Sequence, residues 1–185
     1  MTFDPSEDWD LVKAWVLVSV AFLILSSAGF TLISFIVFSL VVGGAVIFHE
    51  LAHKYVAQRY GYAARFVSND LMLVLGVAMA FTGFIFLAPG AVHVRGLRDA
   101  KQNALIAWAG PAMNAALGFG AFMLSGLGMT AYFALVLRVN ALLGAFNMLP
   151  VPGFDGEKIW AGDKKLYVGT VIVLGVLVVA SFVAV

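Results

Sequence analysis

The stretch Leu71 to Val94, LMLVLGVAMAFTGFIFLAPGAVHV, decides the topology of this chain. By hydropathy alone it scores as a membrane-spanning helix. Its composition argues otherwise, because Gly76, Gly83 and the pair Pro89-Gly90 interrupt it and its second half carries the Phe and Val that favour strands. Charge gives the stronger argument. If the segment does not cross, then Lys13, Lys54, Arg59, Arg65, Arg95, Arg98, Lys101, Lys158, Lys164 and Lys165 share one face, and the opposite loops, near Gly29 and at Ser125 to Met129, carry no basic residue. A crossing would scatter these residues over both faces and erase the positive-inside bias. The segment therefore reads as a re-entrant, β-like element. Irregular backbone at membrane depth must be shielded by protein or line a wet cavity, so this element should pack against the functional core.

The rest of the sequence is consistent with that drawing. Of 185 residues, 63% are hydrophobic and 11% charged, against roughly a quarter charged in soluble domains; the mean hydropathy is +1.01. The reading is an α-helical integral membrane protein in one domain over residues 1–185. About five crossings of some 20 apolar residues each are expected: Leu11–Gly29, Thr31–Tyr60, Lys101–Leu124, Thr130–Leu149 and Leu166–Val185. The leader carries Asp4, Glu7, Asp8 and Asp10 where a cleavable signal needs positive charge, so the first helix should stay in place. Trp9, Trp15, Trp160, Tyr55, Tyr60, Tyr62 and Tyr167 fall near the basic, cytoplasmic boundary and read as interface anchors. A formal charge of +1 with scattered basic residues suggests no nucleic-acid partner. Lipid and membrane proteins are the expected partners.

Chemistry enters at Phe48-His49-Glu50-Leu51-Ala52-His53, an H-E-x-x-H on a predicted helix. Histidines four apart share a helix face with a rise of roughly 6 Å, so both can reach one zinc ion. Glu50 lies beside that face and can act on water without coordinating, which is the placement of a general base. Ionisable groups inside a span are costly and mark function. With no cysteine in the chain, the remaining metal ligand must be His, Asp or Glu. His93 and Asp155 are the main candidates. His93, between Val92 and Val94, reads more readily as strand-edge or loop packing, and Asp70 and Asp99 suit N-cap and turn roles. Asp155 lies in Asn147-Met148-Leu149-Pro150-Val151-Pro152-Gly153-Phe154-Asp155-Gly156, where two prolines and two glycines break the fourth crossing into an extended turn whose loosened backbone can tuck a carboxylate back into the bundle; with Leu71–Val94 re-entrant, His53 and Asp155 approach the same face.

Three blocks in order, H-E-L-A-H, then Gly110-Pro111-Ala112-Met113-Asn114, then Asn147 to Gly156, resemble the site-2 protease family of intramembrane zinc metalloproteases. The resemblance implies His49, His53 and Asp155 as ligands of one zinc per chain and Glu50 as the catalytic glutamate. It places Asn114 and Asn147 near the active site as tentative substrate or oxyanion residues, and it implies a re-entrant β element after the histidine helix. It further implies cleavage of transmembrane protein substrates; the charge bias places the N-terminus in the cytoplasm and the site nearer that face, with the cell membrane as the expected location. No PDZ domain interrupts the chain and no CBS pair follows, so the expectation is a bare catalytic core. Taken alone, Gly110-Pro111 also fits a kink with close packing, Asn114 fits interhelical hydrogen bonding, and Arg138 fits a polar cavity or a snorkelling position. A metal carrier using His49, His53 and Asp155 is the competing class. Glu50 speaks against it, as does the absence of an inverted repeat.

Overall fold

The computed structural model describes residues 1–26, 28–85, 88–125 and 130–183, and among these the chain is mostly helical with one small sheet. Helix α1 is Pro5–Leu25. Next come α2, Leu32–Phe38, a π-helical turn, Ser39–Gly43, and α3, Gly44–Arg59, which run on as one rod. Strand β1 (Ala63–Ser68), helix α4 (Asp70–Ala80) and strand β2 (Gly90–Arg95) follow, then α5 (Ala100–Leu124), α6 (Thr130–Asn147), α7 (Asp155–Gly162) and α8 (Lys164–Val183). Among the described residues three helices are long and apolar enough to cross a membrane: Leu32–Arg59, Ala100–Leu124 and Lys164–Val183. Helix α1 begins with Glu7, Asp8, Asp10 and Lys13, and α6 has only 18 residues, about 27 Å of rise. Of the opposite loop expected at Ser125 to Met129, residues 126–129 lie outside the described residues, as do the last two residues of the final crossing.

The deciding segment differs in part from its sequence reading. Its first half is not β-like but forms α4, because Asp70 to Ala80 places a run of good helix formers behind the Asn69 N-cap, whose side chain accepts the Met72 N–H. At 11 residues α4 rises about 16 Å, too short for a crossing. The segment's last five residues, Gly90 to Val94, do lie in a strand, β2, whereas Phe81 and Phe84 fall in a turn and an irregular stretch before it. It pairs antiparallel with β1, which the sequence reading missed, in the register Ala64↔Val94, Phe66↔Val92 and Ser68↔Gly90. The Asn69 N–H donates to the Pro89 carbonyl at 3.0 Å. Both ends of the excursion through α4 are therefore stitched together at one point.

Packing assembles this hairpin beside the helices. One core joins Ala14 and Val18 of α1, Val41, Val42 and Val46 of the long rod, Phe66 of β1 and Leu73 of α4. A second joins Ala107, Met148, Ile159 and Leu174. Helix α5 turns Ala104, Ala107, Gly110, Gly118 and Ala121 inward, a small-residue stripe that lets neighbouring backbones approach closely in lipid, where burial of apolar surface supplies little drive. Trp15 is more than an anchor, since its indole N–H donates to the Ser39 carbonyl at 2.8 Å and so satisfies the backbone at the π turn. Arg138 reaches the last turn of α8, donating to the Ser181 carbonyl at 2.9 Å and stacking on Phe182.

The hydrogen-bond phase of the hairpin is fixed by its flanks. The Phe66 N–H donates to Glu7 and the Ala64 carbonyl accepts from Gln58, so the even-numbered residues of β1 point away from β2. Ala64 and Val94 are then a non-hydrogen-bonded pair, the closest kind of cross-strand neighbour and within disulfide reach. In a chain without native cysteine, Ala64→Cys/Val94→Cys should crosslink under mild oxidant. Faster crosslinking of Ala64→Cys/His93→Cys would show the register to be wrong by one residue.

Candidate metal centre

Helix α3 presents His49 and His53 on one face, as the four-residue spacing requires, and α7 brings Asp155 to them from its first position. Asp155 Oδ2 lies 3.2 Å from His49 Nε2 and 3.1 Å from His53 Nε2. All three residues are buried, and their ligand atoms lie within 4.8 Å of one another.

Hydrogen bonds behind the imidazoles determine which nitrogens are free. His53 Nδ1 faces the Ile106 carbonyl at 2.8 Å, which can only accept, so Nδ1 carries the hydrogen. The His49 side needs one further step. Asn140 donates its amide to the Val136 carbonyl, which leaves Asn140 Oδ1 as the acceptor for Asn114 Nδ2 at 3.0 Å; Asn114 Nδ2 also donates to the Ala45 carbonyl at 3.3 Å. Asn114 Oδ1 is then an acceptor, and His49 Nδ1 donates to it at 2.6 Å. Both Nε2 atoms are left as lone-pair donors, aimed at a carboxylate oxygen with no hydrogen between them. This is a donor set that a divalent cation completes, with each histidine oriented by an outer partner as metal-binding histidines are.

Backbone geometry leaves room for that cation. A Cβ built on Gly110 would strike His53 Nε2 and would come within 2.6 Å of His49 Nε2, so glycine is needed where α5 passes the imidazoles. Pro111 interrupts the helical ladder at the same turn, next to the Ile106 carbonyl that His53 uses. Gly156 meets the Met148 and Leu149 carbonyls in the same way, which seats α7 against the end of α6 and sets Asp155 in depth. Tyr167, read from sequence as an anchor, donates to the Met148 carbonyl at 2.9 Å and fastens that turn.

Around this cluster lies a cavity of about 230 Å³, lined by Glu50, Val92, Val94, Asn147 and Lys158 among others. Glu50 lines it beside the two histidines. Asn147 lines the cavity with its amide donating to the Leu143 carbonyl, so one of its two hydrogens remains available. Asn114, in contrast, is fully buried behind His49. The other candidates fall elsewhere. His93 sits on the exposed face of β2 opposite Arg65, Asp70 pairs with Lys13 at 2.8 Å, and Asp99 caps α5 by accepting from the Lys101 and Gln102 amides. Sequence reading missed Asn140 and Lys158. A polar residue inside an otherwise apolar helix is the signal that would have found Asn140.

Membrane-length helices around a buried His-His-Asp donor set define a membrane protein with a candidate metal centre. Residues 37–128 match peptidase family M50. A candidate zinc metalloprotease of Methanocaldococcus jannaschii is 38% identical over 143 residues, covering 74% of this chain and 75% of the relative. Another, from Bacillus subtilis, is 28% identical over 152 residues, covering 70% and 68%. The chain belongs to peptidase family M50, the site-2 protease family. No solved structure matches it.

Gly110→Ala should fold and lose bound metal, and Asn114→Ala should weaken metal affinity by roughly 10- to 100-fold by releasing His49. Metal analysis during chelator competition measures both. Full occupancy in Gly110→Ala at wild-type affinity would contradict the packing argument.

Proposed function

We propose that the protein is an intramembrane zinc metalloprotease that hydrolyses peptide bonds within or near transmembrane segments of other membrane proteins. The observation that carries this reading is Glu50 placed beside a proton-free His49, His53 and Asp155 donor set, in a cavity walled by an open strand edge. Held by those three side chains, one zinc per chain would supply Lewis acidity toward a peptide carbonyl and acidify water at neutral pH. Glu50 takes the proton from the attacking water at its carboxylate and passes it to the leaving amine. Asn147 offers its spare amide hydrogen to the developing oxyanion. Asn114 does not reach substrate in this scheme; it keeps the His49 lone pair aimed inward.

The hairpin supplies the substrate cradle. Since Phe66↔Val92 is a non-hydrogen-bonded pair, Gly90, Val92 and Val94 turn their N–H and C=O groups to the outer edge of β2, and these residues line the cavity. An extended peptide can add there as a strand, with its own backbone satisfied at membrane depth. A helical substrate must unwind first, so Gly or Pro beside the scissile bond should speed cleavage, whereas Pro inside the docked strand should slow it because it lacks an amide hydrogen.

The topology proposed with this function has five crossings, a cytoplasmic N-terminus and an active site nearer that face in the cell membrane; it is supported by the junction of both ends of the α4 excursion at Asn69 and Pro89 and by the basic residues gathered on one face. Cysteines placed near Arg65 and Arg98 should label from the same side; labelling from opposite sides would remove the common face for the ligands. For the chemistry, Glu50→Gln should retain metal and lose at least about 100-fold in turnover on a membrane-spanning model substrate. Loss of metal in that variant, or wild-type turnover, would contradict the assignment.

A further inference from the structure

One residue beyond His53 lies a charged pair that the proposed chemistry does not use. Lys54 Nζ is 2.5 Å from Glu7 Oε2, and the two side chains are 0% and 1% exposed. Burying an ion pair is costly, and apolar residues of the same volume commonly serve stability as well or better. This pair is tied to the substrate cradle. Glu7 Oε1 accepts the Phe66 N–H at 2.9 Å, and Phe66 is the cross-strand partner of Val92 in the cavity wall. Next to it, Gln58 of α3 donates to the Ala64 carbonyl at 3.3 Å. The outward groups of β1 at Ala64 and Phe66 are thus taken by side chains of α3 and of the first turn of α1, while the outward groups of β2 line the cavity. A carboxylate suits this place because its two oxygens serve the β1 amide and the α3 ammonium while one of them also accepts the Asp4 N–H at 3.4 Å in the cap of α1.

We infer that Glu7 is a positioning residue of the active site: it closes the outer edge of the hairpin and locks it to the helix bearing His49 and His53, so that β2 is the edge left for an extended peptide. This rests on the strand-addition reading above. The Phe3 ring, 3.8 Å from the Lys54 ammonium, and Thr2, whose N–H donates to Gln58 Oε1 at 3.0 Å, fold the N-terminal stretch over the same junction. The first residues of the chain are accordingly part of the site's framework.

The test compares two double variants in the zinc-loaded full chain, so that neither leaves an unpaired buried cation. Glu7→Gln/Lys54→Met keeps an acceptor for the Phe66 amide; Glu7→Ala/Lys54→Met removes it. Two readouts are taken, hydrogen exchange of the β1 segment, and kcat and KM on a long substrate that spans the β2 edge and on a short one that does not. The alanine variant should exchange β1 faster and raise KM for the long substrate about tenfold, the scale of one lost hydrogen-bond anchor. It should leave zinc content and the short substrate unchanged, and the glutamine variant should match wild type throughout. Wild-type exchange and KM in the alanine variant would overturn the inference, as would parallel loss of both substrates, which marks a role in stability alone. If wild type cleaves neither substrate, the protease reading fails instead, and the exchange contrast between the two variants still decides whether Glu7 holds the hairpin.

Discussion

Everything in this structure depends on two imidazole protons facing outward. The Ile106 carbonyl holds one and Asn114 holds the other, and the Asn114 amide is itself fixed by Asn140 and Ala45. With those protons withdrawn, His49 and His53 point lone pairs at the carboxylate of Asp155. Three such groups cannot remain buried together without a balancing positive charge. The metal site is therefore prepared largely by helices that carry none of its ligands, since Ile106 and Asn114 lie on α5 and Asn140 on α6, with the Ala45 carbonyl of α3 completing the chain.

Close approach of backbones makes that preparation possible. Gly110 admits the imidazoles against α5, and Gly156 lets α7 lie on the carbonyls that end α6. The small residues of α5 serve the same purpose along its length. In a bilayer, helix contacts rest on packing and polar links more than on burial of apolar surface, so the polar chain through the centre adds cohesion as well as aim. On the other side of the cavity the hairpin is held by Glu7, Lys54 and Gln58 and by the Lys13–Asp70 pair. The site thus lies between a tightly packed helical wall and the outer edge of β2, the edge on which the proposed strand addition rests.

Much of this was legible in the sequence. H-E-x-x-H spacing places two ligands on one helix face whatever surrounds them, and the broken stretch before Asp155 announces a backbone that can turn back. The glycines and proline of Leu71–Val94 argued against one continuous helix, and the segment is indeed split into an 11-residue helix and a strand that begins just after Pro89. Illegible were the features set by partners distant in the chain. The six residues of β1 have no signature without β2 to pair with, and α4 was hidden because its apolar run was weighed together with the strand that follows. Asp155 was expected in an extended turn and instead opens α7, a helix whose place depends on Gly156 meeting α6. Glu7 was read only as a negative charge in the leader; its partner Lys54, 47 residues on, gave no sign of being buried, because sequence proximity to a basic loop suggested solvent.

The central claim, that two imidazoles and one carboxylate of this chain converge on a single metal ion, is tested most directly by X-ray absorption at the zinc edge of the purified protein. The account expects a first shell of nitrogen and oxygen at about 2.0 to 2.2 Å with outer-shell scattering from two imidazoles and no sulfur. Asp155→Ala should alter the oxygen contribution while both imidazole signals persist. A spectrum showing fewer than two imidazoles, or one unchanged by Asp155→Ala, would contradict it.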